Sequence, residues 1–302
     1  MSLTGLLSCL AKETGFTEIG DLAAGQAGTL VEAPVPMHPV VVAEIVRRRA
    51  AGSPVIVVTA TGREAEDAAA ALPELVPGAH AAYLPSWETL PHERLSPSSD
   101  TVGRRVAVLH RLAHPDASDP YGLPIDVLFT SVRAFLQPVV RAIADVRPVR
   151  LEVGDEAPLE NLVESLVALG YERVDLVERR GQVAVRGGIL DVFPPTEEHP
   201  LRVEMWGDTV EEIRSFSVAD QRSLEAEPAL WAPAVRELLL TPEVRQRAAH
   251  LATTHPQIAD MCEKLAEGIA VEGMESLAPV LADGLVTPLE LIDGRAHVVL
   301  LE

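Results

Sequence analysis

The stretch Gly181–Pro195, GQVAVRGGILDVFPP, decides how this chain is read. Two apolar runs meet at Gly187-Gly188, and a glycine pair supplies the positive φ angles that two-residue hairpin turns demand. The expectation is an antiparallel hairpin with QVAVR and ILDVF as its strands. Side chains alternate along a strand, so Gln182, Ala184 and Arg186 share one face while Val183 and Val185 share the other. The valines are expected inside and Arg186 outside, at the end of its strand, with Arg179 and Arg180 just upstream.

The next run, LRVEMW (Leu201–Trp206), alternates in the same way, with Arg202, Glu204 and Trp206 opposite Leu201, Val203 and Met205. In one antiparallel sheet with RVDLV before it and TVEEIRSFSV after it, Arg186, Arg202 and Glu204 form a mixed-charge surface patch, joined by Arg173 of YERVD. Arginine suits such a patch because its planar fork makes bidentate bonds to carboxylates and stacks on aromatics, and interfaces are enriched in it. Ordinary surface salt bridges account for the same residues on composition alone.

Upstream of this meander the chain alternates strand and helix. PVIVVTA (Pro54–Ala60) is a continuous β-branched run of the kind buried in a parallel sheet, and REAEDAAAAL (Arg63–Leu72) is helix-forming. A Pro/Ser-rich loop follows, then a helix capped by Asp100 with Val102, Val106 and Leu109 at helical spacing, and a second buried strand IDVLFT (Ile125–Thr130). LENLVESLVALG (Leu159–Gly170) is a helix closed by Gly170, and after about Gln221 helices return before a last apolar strand, AHVVLLE. The expected fold is α/β: a parallel-sheet domain from residues 1–135 and 223–302, with an α+β antiparallel-sheet domain, 136–222, inserted into it. The abrupt end on a strand reads as a piece of a longer protein.

At 302 residues and 47% hydrophobic, the chain has material for two cores. No run of about 18 apolar residues is present, and the opening segment, MSLTGLLSCLAKETG, reads as an amphipathic helix with neither a charged n-region nor a cleavage site. No membrane association is expected. Cys9 and Cys262 lie on helix-like stretches without metal or disulfide spacing, so a reducing cytoplasm is the default. The formal charge of −20 disfavours a general polyanion surface, and 4% aromatics disfavours base-stacking platforms.

Catalytic motifs fail where tested. In VVTATGRE, Val57 stands for the first glycine of a phosphate-binding loop, Gly62 keeps the second, Arg63 replaces the lysine and Glu64 the magnesium-binding hydroxyl. The two lysines, Lys12 and Lys264, follow Ala11 and Glu263, so no other such loop exists. His110 and His114 lie at i, i+4, but two ligands do not make a closed metal site, and cations at a helix C-terminus explain them equally. No metal and no cofactor is expected.

Taken together, YERVDLVERRGQVAVRGGILDVFPP and LRVEMWGDTVEEIRSFSV closely resemble the inserted domain shared by bacterial transcription-repair coupling factors and the excision-repair helicase subunit UvrB. YLPSWETLPHERLSP and VEGMESLAPVLADG resemble the coupling factors rather than UvrB, and the resemblance covers nearly the whole chain. It implies a UvrB-like module, cut before the RNA-polymerase-binding and translocase domains of an ATP-dependent DNA translocase. The inserted domain is then a docking surface for UvrA, the damage-recognition ATPase. Arg173, Arg186, Arg202 and Glu204 match positions implicated in the UvrB contact, and Arg180 coincides with a UvrB arginine.

UvrB itself has an intact phosphate-binding loop and an aromatic hairpin, where this chain has TATGRE and the short ETLPHERLSP. The resemblance thus implies a non-catalytic scaffold that kept the partner surface. RNA polymerase and DNA would be reached only through the missing domains, and another part of the full-length chain would mask the surface at rest. The alternative, a nucleotide-dependent helicase fragment acting on DNA, needs the phosphate-binding lysine that the sequence does not supply.

Overall fold

The computed structural model describes residues 3–10, 12–23, 28–49, 53–90, 93–292 and 296–302. Its first elements are α1 (Thr4–Leu10), α2 (Thr14–Ala23), α3 (His38–Arg48), β1 (Val55–Thr59), α4 (Gly62–Leu75), β2 (Ala81–Leu84), α5 (Ser99–Ala113), β3 (Val127–Ser131) and α6 (Val132–Leu136). The middle of the chain forms β4 (Val139–Val140), β5 (Val149–Glu152), α7 (Leu159–Ala168), β6 (Glu172–Arg173), β7 (Gln182–Arg186), β8 (Ile189–Val192), β9 (Leu201–Trp206) and β10 (Thr209–Phe216). The remainder forms β11 (Ser223–Ala226), β12 (Ala229–Ala232), α8 (Pro242–Thr254), α9 (Ala259–Ala266), α10 (Ala278–Leu281), β13 (Leu285–Val286) and β14 (His297–Leu300). These fall into two units, Met1–Ser86 with Val108–Pro138 and Thr287–Glu302, and Trp87–Ala107 with Val139–Val286.

In the first unit a parallel sheet has the order β14-β1-β3-β2. β1 and β3 are buried at every position, as their unbroken apolar runs require when both faces of a parallel sheet are covered. Val55, Val57, Val127 and Phe129 share one core with Val41 and Ile45 of α3 and Leu72 and Leu75 of α4. Each such side chain contributes roughly 1.5–3 kcal/mol by leaving water. The same helix α3 buries a carboxylate, Glu44, which is tolerated because Arg47 Nη1 and Arg48 Nε donate to it at 3.1 and 2.6 Å.

The second unit is built on a six-stranded sheet of order β11-β10-β9-β8-β7-β6. Its ladders are antiparallel from β11 to β7. Three expectations are corrected here. The strand predicted as RVDLV is only Glu172–Arg173, and it runs parallel to β7. The Val174 amide still donates to the Val183 carbonyl at 2.9 Å; beyond it the chain departs from the ladder, and Val177 is fully buried in a small separate core with Ala184, Phe193 and Phe216. Gln182 and Ala184, expected outside with Arg186, are buried at 6% and 3% exposure, Ala184 within that same core.

The third correction concerns the domain limits. The expected boundary at 135/136 lies three residues from the junction after Pro138, but the one at 222/223 falls inside the second unit. β12 pairs antiparallel with β5, setting Trp231 against Arg150. Leu238, Val244, Leu265, Met274 and Leu281 then form a core with Val140 against it, and β13 pairs with β4. Residues 223–286 are thereby held to the start of the unit, and only Thr287–Glu302 returns to the parallel sheet.

Residues 87–107, expected in the first domain, also belong to the second unit. Arg105 and Glu237, 0% and 1% exposed at their side chains, form a buried ion pair, and Trp87 Nε1 donates to the same Glu237 oxygen at 2.9 Å. Ser96 Oγ donates to Glu275 at 2.6 Å and accepts from the Gly273 amide at 2.9 Å. The loop corresponding to ETLPHERLSP is therefore fastened at both ends, with Pro91 and His92 outside the described residues. Gly103 of α5 has no room for a side chain, since a Cβ there would lie 1.9 Å from the Pro195 ring.

Candidate docking face of the antiparallel sheet

The β7–β8 hairpin closes as its glycines demand. Arg186 pairs with Ile189 across Gly187-Gly188, and Gly187 takes φ +61°. Gly188 lies against β9: its carbonyl accepts from the Met205 amide at 2.8 Å, and a Cβ on it would lie 2.8 Å from the Met205 carbonyl oxygen. A one-residue slip of β8 on β9 would break this contact and reverse every side chain.

Register then sorts the two faces. Val185, Leu190, Val203 and Ile213 follow one another across four strands on the apolar face. On the opposite face Arg186, Ile189, Glu204 and Glu212 form one row, and Ala184, Asp191, Arg202 and Arg214 the next. Trp206, opposite Thr209, extends this face beyond Glu204. The sequence-predicted residues Arg186, Arg202 and Glu204 therefore do share a face.

Their circumstances differ. Arg202 is spent internally: its Nε and Nη2 donate to the two carboxylate oxygens of Asp191 at 2.8 Å each, and its guanidinium lies 4.6 Å over the Phe216 ring. A third bond runs from Nη1 to the Gln221 carbonyl at 3.3 Å. The bonds to Asp191 hold the guanidinium pKa above its ordinary value, against the opposing effect of burial. Arg214 is likewise occupied, by Glu212 at 2.7 Å. Arg186 is exposed and has no hydrogen-bond or ion-pair partner among the described residues.

The other candidates sit elsewhere. Arg180 precedes β7 and is half-buried, donating twice to the Glu197 carbonyl at 3.0 and 2.8 Å and stacking 5.2 Å over Phe193. Its Nε also stands 3.4 Å from Asp100. Arg173 is exposed, but its register partner is Val183, which puts it on the face opposite to Arg186. Sequence reasoning missed Asp191 and Phe216 as the groups that immobilise Arg202. Period-2 alternation placed Arg202 outside correctly, yet the identity of its partner depends on the β8–β9 register.

The turn after β1 is also local chemistry. Val57 is buried in the sheet, and only Ala60 and Thr61 separate β1 from α4, which starts at Gly62. Thr61 caps that helix, accepting from the Glu64 amide at 3.3 Å, while Glu64 Oε2 accepts from the Thr61 amide at 3.0 Å. Arg63 is 91% exposed and stands 3.9 Å from Asp67. Among the described residues no group of three or more His, Cys, Asp or Glu side chains is placed to hold a metal ion.

Comparison with known proteins matches this architecture. The family model for the UvrB interaction domain covers residues 149–232, from the first residue of β5 to the last of β12. The transcription-repair-coupling factor of Mycobacterium bovis is 50% identical over 294 residues, 93% of this chain and 23% of that protein. The transcription-repair-coupling factor of Myxococcus xanthus is 34% identical over 219 residues, 69% of this chain and 18% of its own length. UvrABC system protein B of Natronomonas pharaonis is 39% identical over 80 residues, 26% of this chain and 12% of its own. The chain thus spans less than a quarter of the length of these relatives. With a UvrB interaction domain at its centre and this likeness over nearly its whole length, the chain belongs to the family of the transcription-repair-coupling factors.

Proposed function

We propose that the chain is the non-catalytic protein-binding module of a transcription-repair coupling factor, recruiting UvrA to stalled transcription complexes in nucleotide excision repair. The observation that carries this reading is Arg186, exposed and without an ion-pair partner among the described residues, in one row with Ile189 and Glu204 on the outward face of a UvrB interaction domain. Docking would be by charge complementarity, with Arg186 meeting an acidic or aromatic group and Glu204 orienting the contact. Arg202 contributes by fixing the face, and Arg173 and Arg180 lie outside the central contact.

The β1–α4 turn supports the non-catalytic part of the proposal. A phosphate-binding loop wraps the anion with free backbone amides. Here the turn is two residues long, Thr61 and Glu64 satisfy amides at the helix start, and Glu64 adds negative charge there. RNA polymerase and DNA are left to the parts of the longer protein not represented in this chain. In that protein another segment would cover the face until the motor acts. Cys9 and Cys262 are both free, in keeping with a cytoplasmic protein, and no helix among the described residues is long and apolar enough to cross a membrane.

Calorimetric titration with purified UvrA tests the proposal. The wild-type chain is expected to bind, and Arg186→Ala to bind about tenfold or more weakly with an unchanged circular-dichroism spectrum. A folded wild-type chain that does not bind UvrA would overturn the reading. Thermal stabilisation by ATP, measured alongside, would favour the helicase alternative instead.

A further inference from the structure

The six-stranded sheet carries a second polar surface, on its other face and at its other edge. Leu201 and Ser215 are register partners on the side opposite to Arg186, in the row that runs from Val183 through Val192. Beside them lies β11, the edge strand, exposed at all four residues. Its ladder with β10 pairs Arg214 with Ala226 and Phe216 with Ser223, so Ser215 alone faces both Leu224 and Glu225. This is a β-bulge, and the Ser215 hydroxyl satisfies the surplus residue, accepting from the Glu225 amide at 3.2 Å and donating to its carbonyl at 3.3 Å.

Between the bulge and the loop after β8 lies a groove of about 600 Å³. Leu201 and Leu224 supply its apolar part, and Glu197, Glu198, Glu225 and Glu227 its carboxylates. None of these four carboxylates is within ion-pair distance of an arginine or lysine among the described residues. Arg180 bonds the main-chain carbonyl of Glu197 and leaves its carboxylate unmatched. Burial, and then the charge of Glu227, push the Glu197 carboxyl above its usual range. Guarding a sheet edge against stray pairing needs only a bulge and charges on the strand itself. It does not need carboxylates from a separate loop to converge on them beside apolar side chains.

We infer that this groove is a second docking site, independent of the proposed UvrA contact, for a basic segment of a partner protein whose arginine or lysine lays its stem against Leu224 and Leu201 and its charged head between Glu197 and Glu227. Both side chains suit the groove because each carries a long apolar stem below its charge. The bulge and the edge carboxylates bar strand addition, so recognition is of the side chain rather than the backbone. Like charges held together at rest disfavour their own ionisation, and an arriving cation removes that penalty.

The test titrates the chain with an acetylated, amidated hexapeptide of alternating arginine and glycine, followed by amide NMR. Saturable binding is expected, with shifts confined to residues 197–201 and 213–227, and a peptide with citrulline in place of arginine should not bind. The double variant Glu197→Gln, Glu227→Gln should bind at least about tenfold more weakly while its Tm at neutral pH is unchanged or raised. The double variant Glu160→Gln, Glu164→Gln, which removes the same charge from exposed positions on α7, should bind within about twofold of wild type. Equal losses in the two double variants would reduce the effect to net charge and overturn the inference. A folded wild-type chain that does not bind the peptide, or shifts spread over the whole unit, would overturn it as well. Because no step involves UvrA, failure here leaves the docking reading standing, and failure of UvrA to bind leaves the groove standing.

Discussion

Two turns marked by glycine, one at Gly62 after β1 and one at Gly187 after β7, meet opposite fates. At the first, a capping box spends two amides at the helix start, those of Thr61 and Glu64, on the side chains of Glu64 and Thr61. At the second, the turn closes a hairpin whose outward row ends in an exposed arginine with no partner among the described residues. A site is read from what remains after internal satisfaction: the helix start after β1 spends two amides on its own cap, while the antiparallel sheet leaves an exposed arginine at one corner.

The sharpest way to break this comparison is to remove an internal closure. Arg202→Ala leaves Asp191, 8% exposed at its side chain, without its bidentate partner and should cost about 2–3 kcal/mol in urea unfolding. A loss under about 0.5 kcal/mol would mean that Arg202 is a surface residue like Arg186 and that the division into closed and open groups is false. Next in size is the first turn itself. Thr61→Ala should cost about 1 kcal/mol by removing the helix cap, read as a lowered Tm of the parallel-sheet unit.

The smallest effect lies beside Glu197, on the loop that follows β8. Burial, and then the nearby charge of Glu227, raise its carboxyl pKa above the usual range. The folded state therefore holds the proton more tightly than the unfolded state, so the contribution is full below the ordinary carboxylate pKa and is lost as pH rises through the raised one. Glu197→Gln should raise Tm slightly at neutral pH, with the gain fading by about pH 4. An equal gain at both pH values would show that titration of this carboxyl is not involved.

Much of this was legible before any coordinates. Gly187-Gly188 between alternating runs specified the hairpin, and the unbroken valines of Val55–Val58 specified a strand covered on both sides. Alternation in LRVEMW put Arg202, Glu204 and Trp206 on one side correctly. The failures share a cause, which is contact between segments distant in sequence. Asp191 sits inside an apolar run and shows no sign of its partner until β8 and β9 are placed in register. Likewise nothing in Trp231 announces that its strand lies against β5, so the sequence boundary at 222/223 falls inside the second unit. The parallel β6 was hidden because a two-residue strand carries no periodicity to read.

The two bonds from Arg202 to Asp191, with the ring of Phe216 beneath, have a consequence for recognition thermodynamics. The rotamer freedom of the longest side chain in the middle of the face is already given up when the unit folds. An arriving partner has only the exposed side chains at the hairpin end left to immobilise, at about 0.5–1.5 kcal/mol each. If the face docks a partner as proposed, it is preorganised for it, and a modest contact area would yield a stable complex without a compensating structural rearrangement.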